Sequence, residues 1–268
     1  MTKFTQTYPT DLKYNEWTLI AQFFPDPQRG HPRKWGRCQI VNAILYVTRT
    51  GCQWRMMPKD LPPWQTVYGY FRRWTLQGLW AQINAALVEC IRIQDGRHPQ
   101  PSAAVIDSQS VKTSEGGEER GVDVHKQTPG RKRHIVVDTL GLLLVVLVHS
   151  ASLQDGPGGL QTLQRLFDGI KRNVHNRWCC LRLIWADGAY AQIVDSVRQH
   201  FGWRLEIVRR SDDLKGFQVL PHRWVVERTF GWLGRYRRLS RDFEHTVSSS
   251  EAMTYLASIR RMLKLATK

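Results

Sequence analysis

The sequence has 268 residues, and 42% of them are hydrophobic, so the chain has enough apolar side chains for a folded core and is not a disordered tail. Lysine and arginine number 39 against 23 acidic residues, which gives a formal net charge of +16 at pH 7. Small anionic metabolites do not require so large an excess, and the charge favours nucleic acid as the partner.

The cysteines and the apolar runs indicate the compartment. Five cysteines form an odd set, and their spacing matches neither a disulfide framework nor a zinc site. The first residues lack the apolar core of a signal peptide, and the longest aliphatic run, Leu142–Val148, is far shorter than the about 20 residues of a membrane span. We therefore expect a soluble bacterial protein of the cytoplasm, associated with the nucleoid, with reduced cysteines and no membrane contact.

Residues 1–95 have the apolar periodicity of helices. The patterns predict four of them, at residues 12–24, at 37–50, after Pro62-Pro63 and at 79–93. The third places Arg72 and Arg73 on its outer face and is our candidate DNA-reading helix. We interpret residues 1–95 as a helix-turn-helix-like domain for DNA contact or dimerisation, and a helical cap with only a packing role is the alternative.

After a linker at residues 96–102, the period changes to that of strands. Residues 104–106, 135–138, 142–148, 181–186 and 204–208 are predicted strands, and the second and third form a hairpin. Helices are predicted after residues 156–159 and at 190–200, 222–238 and 250–265, the last with Ser248 and Glu251 as a capping box. This α/β order, with three antiparallel strands leading into two parallel ones, matches a ribonuclease-H-like mixed sheet over residues 103–268, although periodicity also allows other three-layer folds.

Three acidic residues lie where a solvated charge is unusual. Asp107 and Asp187 each follow an apolar strand, and Glu227 lies within an apolar helix. Carboxylates on buried elements need partners, and Mg²⁺ is a hard cation that prefers oxygen ligands. A pair of Mg²⁺ ions, for which Mn²⁺ substitutes, promotes phosphoryl displacement. The alternative is that Asp107 caps a turn, Asp187 begins a helix and Glu227 pairs with Arg223.

Four segments together resemble one known family. These are AVIDSQSVK at 104–112, GRKRHIVVD at 130–138, WADGAY at 185–190 and RWVVERTFGWL at 223–233. They resemble the DDE transposases of bacterial insertion sequences, in the insertion sequence five family, and the likeness covers nearly the whole chain. It implies a ribonuclease-H-like core that cuts and joins DNA with divalent metal. It also implies that Asp107, Asp187 and Glu227 are the catalytic, metal-binding triad.

The resemblance implies the partners as well, and it departs from the family pattern in one place. We expect double-stranded DNA, comprising the element's terminal inverted repeats and the target, with a homodimer in the DNA complex. Many related transposases have Tyr, Arg, Glu and Lys at fixed spacing around the glutamate. Here Arg223 and Glu227 match, whereas Leu220 and Gly234 replace the other two. Arg235 is our candidate for the phosphate-binding role of that lysine.

Two basic runs are candidate DNA contacts. Residues 125–134 contain Lys126, Arg131, Lys132 and Arg133 without an acid, and a turn at Pro129-Gly130 is expected to lead them into a strand. Residues 235–241 contain four arginines at the end of the glutamate helix. Solubility and helix capping are the alternative roles. A second function class also stays open: a catalytically inactive, transposase-derived, sequence-specific DNA-binding protein.

Overall fold

The N-terminal part of the chain is helical, as its periodicity predicts. The computed structural model describes residues 6–25, 34–114, 116–172, 178–208 and 223–268. Its first helices are α1 (Tyr14–Ile20), α2 (Arg37–Thr50), α3 (Trp64–Leu76) and α4 (Leu79–Gln94). Helix α2 ends at Gly51, which adopts the left-handed conformation that glycine tolerates best, with φ +73°. The first predicted helix is shorter than expected and continues as a 3-10 turn at Ala21–Phe23.

Six strands form one mixed sheet. They are β1 (Ala103–Lys112), β2 (Gly121–Asp123), β3 (Thr128–Asp138), β4 (Leu143–Ser150), β5 (Leu183–Ala186) and β6 (Arg204–Ile207). Strand β1 is central, antiparallel to β3 on one side and parallel to β5 on the other, and β6 continues in parallel beyond β5. Strands β2 and β4 both pair with the far side of β3. A mixed α/β core with a helical N-terminal region is therefore confirmed.

The basic segment before residue 135 extends β3 instead of forming a turn. Gly130, predicted to turn with Pro129, pairs with Lys112 inside the sheet. A Cβ at Gly130 would lie 2.1 Å from the carbonyl oxygen of Val111, so only glycine allows the two strands to approach so closely. The turn lies at residues 124–127, between β2 and β3. The strand β2 itself was not predicted, because three residues give too little periodicity.

The remaining helices flank the sheet. They are α5 (Asp155–Arg172), α6 (Val194–Phe201), α7 (Trp224–Leu233), α8 (Arg237–Ser240) and α9 (Val247–Ala266), with a 3-10 helix at Gly188–Ile193 before α6. The single helix predicted for residues 222–238 is interrupted after Leu233, and His222 lies outside the described residues. Helix α7 contacts β1 and β3, whereas α5 contacts β1, β3 and β4.

The predicted capping box at the start of α9 is wrong. The N-cap is Thr246, whose hydroxyl accepts the backbone N–H of Ser249 at 3.2 Å. Glu251 is instead drawn toward the sheet, where it accepts the N–H of Val148 at 3.0 Å. Tertiary contacts therefore override the local capping pattern.

Helix α9 joins the N-terminal helices to the sheet. It packs against α1, α2, α3, α4 and β4, and the buried apolar side chains form one continuous core. Two polar contacts reinforce the packing: Arg260 pairs with Glu16 at 2.6 Å, and the Asn84 amide donates to the carbonyl of Leu143 at 2.6 Å. The division into residues 1–95 and 103–268 stays a prediction. In the part of the chain that the structure describes, no helix is both long and apolar enough to cross a membrane.

Candidate active site

Strand β1 places Asp107 near the middle of the sheet. Its carboxylate is 17% exposed, and Oδ1 accepts the backbone N–H of Ser108 at 2.7 Å. Burial raises the pKa of Asp107 to about 6, and the nearby charge of Asp187 acts in the same direction. The Ser108 N–H, Arg223 and Lys126 oppose this shift, since each stabilises the charged form.

Strand β5 places Asp187 next to Asp107. The parallel register pairs Ala103 with Leu183 and Val105 with Trp185. Continued by a few residues, this register sets Asp107 and Asp187 at the same level of neighbouring strands. Asp187 is also the N-cap of the 3-10 helix, where Oδ1 accepts the N–H of Ala189 at 2.9 Å. The predicted helix-starting role and the convergence with Asp107 therefore occur together.

Helix α7 adds the third carboxylate and the residue just before that helix adds a cation. Nη2 of Arg223 lies 3.8 Å from Oδ2 of Asp107, 3.7 Å from Oδ2 of Asp187 and 3.6 Å from Oε1 of Glu227. Because all three oxygens surround one nitrogen, no two of them are further apart than twice the longest of these distances. The structure thus brings together the three predicted acids, and Glu227 also makes the predicted pair with Arg223.

The three carboxylates suit a divalent cation in chemistry but surround an arginine in this arrangement. Carboxylate oxygens are the ligands that Mg²⁺ prefers. As they stand, no three acidic, histidine or cysteine side chains within the described ranges are close enough to hold a metal ion. The guanidinium of Arg223 supplies the positive charge between them, and its buried Nε has no hydrogen-bond partner among the described residues. The donor set therefore fits a metal, and loading requires Arg223 to withdraw.

Comparison with known proteins identifies the family. Residues 12–84 match a family model described as "Putative transposase of IS4/5 family", and residues 98–260, more than half of the chain, match one described as "Transposase DDE domain". The chain belongs to the DDE transposase family. The resemblance found in the four sequence segments is thereby confirmed.

Two relatives of this transposase-family chain come from Burkholderia cepacia. One, the "Insertion element IS402 uncharacterized 16.2 kDa protein", is 29% identical over 130 residues, which are 46% of this chain and 84% of the relative. The other, the "Putative transposase for insertion sequence element IS402", is 33% identical over 122 residues, which are 43% of this chain and 54% of the relative. The chain thus spans about half the length of the relative whose name includes a transposase.

Three of the four cations predicted to bind DNA from the first basic run are buried in this transposase. Arg131, Lys132 and Arg133 are 0%, 3% and 3% exposed, so their prediction as DNA contacts is wrong. Arg131 donates to the carbonyls of Glu118, Glu244 and His245 and lies 3.4 Å from Asp242. Burial without such partners would be costly for a charge.

The other two buried cations have internal partners as well. Arg133 donates to the carbonyl of Leu239 at 2.8 Å. Lys132 lies 3.0 Å from Asp155 and 3.4 Å from Asp123. The run therefore anchors β3 to the rest of the fold instead of facing solvent.

Lys126 differs from these three residues because it is exposed. It lies in the turn between β2 and β3, where its backbone N–H donates to Asp123 at 3.1 Å. The positive charge of Lys126 acts on Asp107, since it lowers the pKa of that carboxyl. Lys126 thus stays a candidate DNA contact beside the acids.

The second basic run meets the helical region in a cluster that we call the arginine junction: Arg49, Arg235 and Arg237. Nη1 of Arg49 donates to the carbonyl of Arg235 at 2.6 Å, and a Cβ at Gly51 would lie 3.0 Å from the Cβ of Arg237. All three side chains are exposed, and none forms a salt bridge with another described residue. Arg238 of the same run is buried instead and pairs with Glu244 at 2.6 Å.

The two candidate DNA-reading arginines are also on the surface. Arg72 and Arg73 are exposed on α3, and Arg73 lies over the ring of Tyr70, 5.4 Å from its centroid. Nothing in their surroundings ties them to the acids, so their DNA role stays a prediction.

A polar network beside the acids was missed by sequence reasoning. Oδ1 of Asp155 accepts the hydroxyl of Ser108 at 2.7 Å and lies 3.0 Å from Nζ of Lys132. The imidazoles of His134 and His149 stack and share a 2.8 Å hydrogen bond. Burial lowers the pKa of His134 to about 3, so this histidine is neutral. The glycines in the segment DGPGG at 155–159 were the available signal, since such glycines allow close approach.

Proposed function

We propose that this chain is an active, metal-dependent transposase that cleaves the ends of an insertion sequence and transfers the freed 3′-hydroxyl into target DNA. The observation that supports this best is the convergence of Asp107, Asp187 and Glu227 on one nitrogen of Arg223 within 3.8 Å. Carboxylates held that close need a cation to offset their repulsion. They would therefore bind divalent metal readily once Arg223 withdrew.

The order of the strands supports a ribonuclease-H-like core. A central strand, β1, is flanked by an antiparallel hairpin on one side and by two parallel strands on the other. Two of the acids come from the adjacent parallel strands β1 and β5, and the third comes from a helix that packs on β1. This is the arrangement that the family resemblance implies for a DDE triad.

The chemistry divides between metal and protein. A pair of Mg²⁺ ions, or of Mn²⁺ ions, would activate the attacking oxygen and stabilise the leaving one. Asp107, Asp187 and Glu227 would hold the ions. The exposed Arg235 and Lys126 would bind DNA phosphates, and Arg223 would exchange its carboxylate partners for a phosphate.

The DNA partners follow from the same proposal. The element's terminal inverted repeats and the target are double-stranded DNA, and Arg72 and Arg73 on α3 are the candidates for reading the ends. A homodimer would hold both ends, and the protein would act at the nucleoid in the bacterial cytoplasm. One relative's printed name refers to a transposase for the element IS402, which agrees with such a substrate.

The proposal is tested by Asp107→Asn, Asp187→Asn and Glu227→Gln. Each change keeps the size of the side chain and removes the charge that a divalent ion requires, so each should abolish cleavage of end-containing DNA in Mg²⁺ or Mn²⁺. Asp195→Asn is the matched control, since Asp195 is exposed in the first turn of α6 and should be dispensable.

Each outcome of this assay is informative. Retained cleavage in one of the three variants would remove that residue from the triad. A wild-type protein that binds end DNA specifically but never cuts it would favour the inactive DNA-binding protein instead. Circular dichroism of all four variants shows whether a loss of activity reflects a loss of folding.

A further inference from the structure

The hydroxyl of Tyr190 is a buried polar group that the site described above does not use. Tyr190 lies in the 3-10 helix that follows Asp187, and it is 1% exposed. Its hydroxyl has no hydrogen-bond partner within the described part of the chain. Buried hydroxyls are almost always hydrogen-bonded, because they lose water on folding. An unpaired one therefore indicates either an absent partner or a role that offsets its cost.

The surrounding residues hold the ring of Tyr190 in place. A Cβ at Gly159 would lie 2.4 Å from its Cε1, so the start of α5 approaches the ring as closely as glycine allows. The imidazole of His134 packs edge-on against it, with centroids 5.9 Å apart. The phenol is clamped between α5 and β3, and its hydroxyl cannot turn toward solvent to find a partner.

The hydroxyl faces carboxylates. Burial raises the pKa of Tyr190 well above its usual range, and the charges of Asp107, Asp155 and Asp187 raise it further. The phenol therefore keeps its proton and can only donate to these acids. Asp107 contributes the largest of the three charge effects.

Asp107 is also the acid with an oxygen available. Oδ1 of Asp155 is already bonded to Ser108 and Lys132, and Oδ1 of Asp187 accepts the N–H of Ala189. Oδ2 of Asp107 has only the guanidinium of Arg223, at 3.8 Å. When Arg223 withdraws, this oxygen loses that neighbour.

We propose that Tyr190 is a positioning residue, whose hydroxyl donates to the Asp107 carboxylate when Arg223 leaves and so fixes the orientation in which Asp107 binds a divalent cation. The inference rests on the proposed function, since it assumes that the three acids bind metal. Groups that hydrogen-bond to a metal's ligands fix ligand orientation, and their loss typically weakens metal binding by about 10–100-fold.

The test compares Tyr190→Phe with Tyr255→Phe in the full chain. Mn²⁺ affinity is measured by electron paramagnetic resonance of the free ion, without DNA and without turnover. We expect Tyr190→Phe to weaken Mn²⁺ binding by about 10–100-fold. Tyr255 is the control because its buried hydroxyl accepts the N–H of Val146, on a strand that does not carry an acid of the site. Its loss should leave Mn²⁺ affinity unchanged.

Thermal unfolding without metal provides the second measurement. Because the Tyr190 hydroxyl is unpaired when metal is absent, its removal should leave the unfolding temperature unchanged or raise it. A packing role would lower it. A fall in the unfolding temperature, with or without weaker Mn²⁺ binding, would overturn the inference.

The outcomes separate this inference from the proposed function. Absence of Mn²⁺ binding in the wild-type chain, or equal binding by the wild type and Asp107→Asn, would contradict the proposed function itself. Binding that is lost in Asp107→Asn but unaltered in Tyr190→Phe would leave the function standing and overturn the role of Tyr190 alone.

Discussion

Asp107 destabilises the metal-free fold, and this leads to a prediction. Its pKa is raised from 3.8 to about 6, mainly by burial. Between these values the folded chain binds more protons than the unfolded chain, so the contribution of Asp107 to stability falls as pH rises from 4 to 6 and is lowest above 6. Asp107→Asn should therefore stabilise the metal-free protein at pH 7, by on the order of 2 kcal/mol.

Urea unfolding of both proteins at several pH values checks this prediction. The stability difference should be small at pH 4 and should reach its maximum above pH 6. A variant that is less stable than the wild type at pH 7 would show that Asp107 is held mainly by favourable contacts, and the acids would then be structural.

The three acids could be found from the sequence because each interrupts an apolar element, and the resemblance assigned them one role. Tyr190 and Asp155 could not be found in this way. Their roles depend on the close approach of α5 to β1 and β3, and on the orientation of single side chains. Neither is expressed in a periodicity.

Strand β3 shows why its cations were misassigned. A run of basic residues without an acid usually faces solvent, but strand β3 is covered on both faces. The partners of Arg131 and Arg133 lie more than 100 residues away, at Leu239, Asp242 and Glu244. Local sequence contains no information on such distant carboxylates and carbonyls. The helices of the N-terminal region were predicted better, because their apolar stripes are local and end at Gly51 and Pro63.

The two kinds of cation should respond differently to substitution. Lys126→Ala and Arg235→Ala should each flatten the slope of log K against log salt by about 0.9 per phosphate contact, with little effect on folding. Arg131→Ala should instead destabilise the fold by roughly 3–5 kcal/mol, because it leaves Asp242 buried and unpaired. Salt titrations of DNA binding and urea unfolding of the same variants test this difference.

Two further results would contradict this assignment. A flattened salt slope in a stably folded Arg131→Ala variant would return β3 to the DNA interface. Slopes unchanged in both Lys126→Ala and Arg235→Ala would place the DNA on another surface, for which Arg72 and Arg73 are the next variants to test.

The shared core predicts that residues 103–268 do not fold stably alone. Removal of residues 1–95 would expose the apolar faces that α9 and β4 turn toward α1–α4, including Leu256, Ile259 and Leu263. It would also leave Arg260 buried without Glu16. We expect the fragment to be largely insoluble or to lack a cooperative unfolding transition by circular dichroism.

A soluble, cooperatively unfolding fragment would contradict this expectation and would support two independent domains. In either case, end recognition is better tested in the full chain. Replacing Arg72 and Arg73 by Gln leaves the core intact, because both side chains are exposed. Loss of preference for end DNA over random DNA would assign recognition to α3.

The position of α9 also sets a schedule for synthesis. Arg260 pairs with Glu16 across 244 residues of sequence. At the about 5–20 residues per second of translation, roughly 12–50 s pass between the emergence of the two partners. Throughout that interval the apolar faces of the early helices have no partner and are open to chaperones. A ribosome that stalls before residue 247 would release a chain that contains all three acids but lacks the helix that completes the core around them.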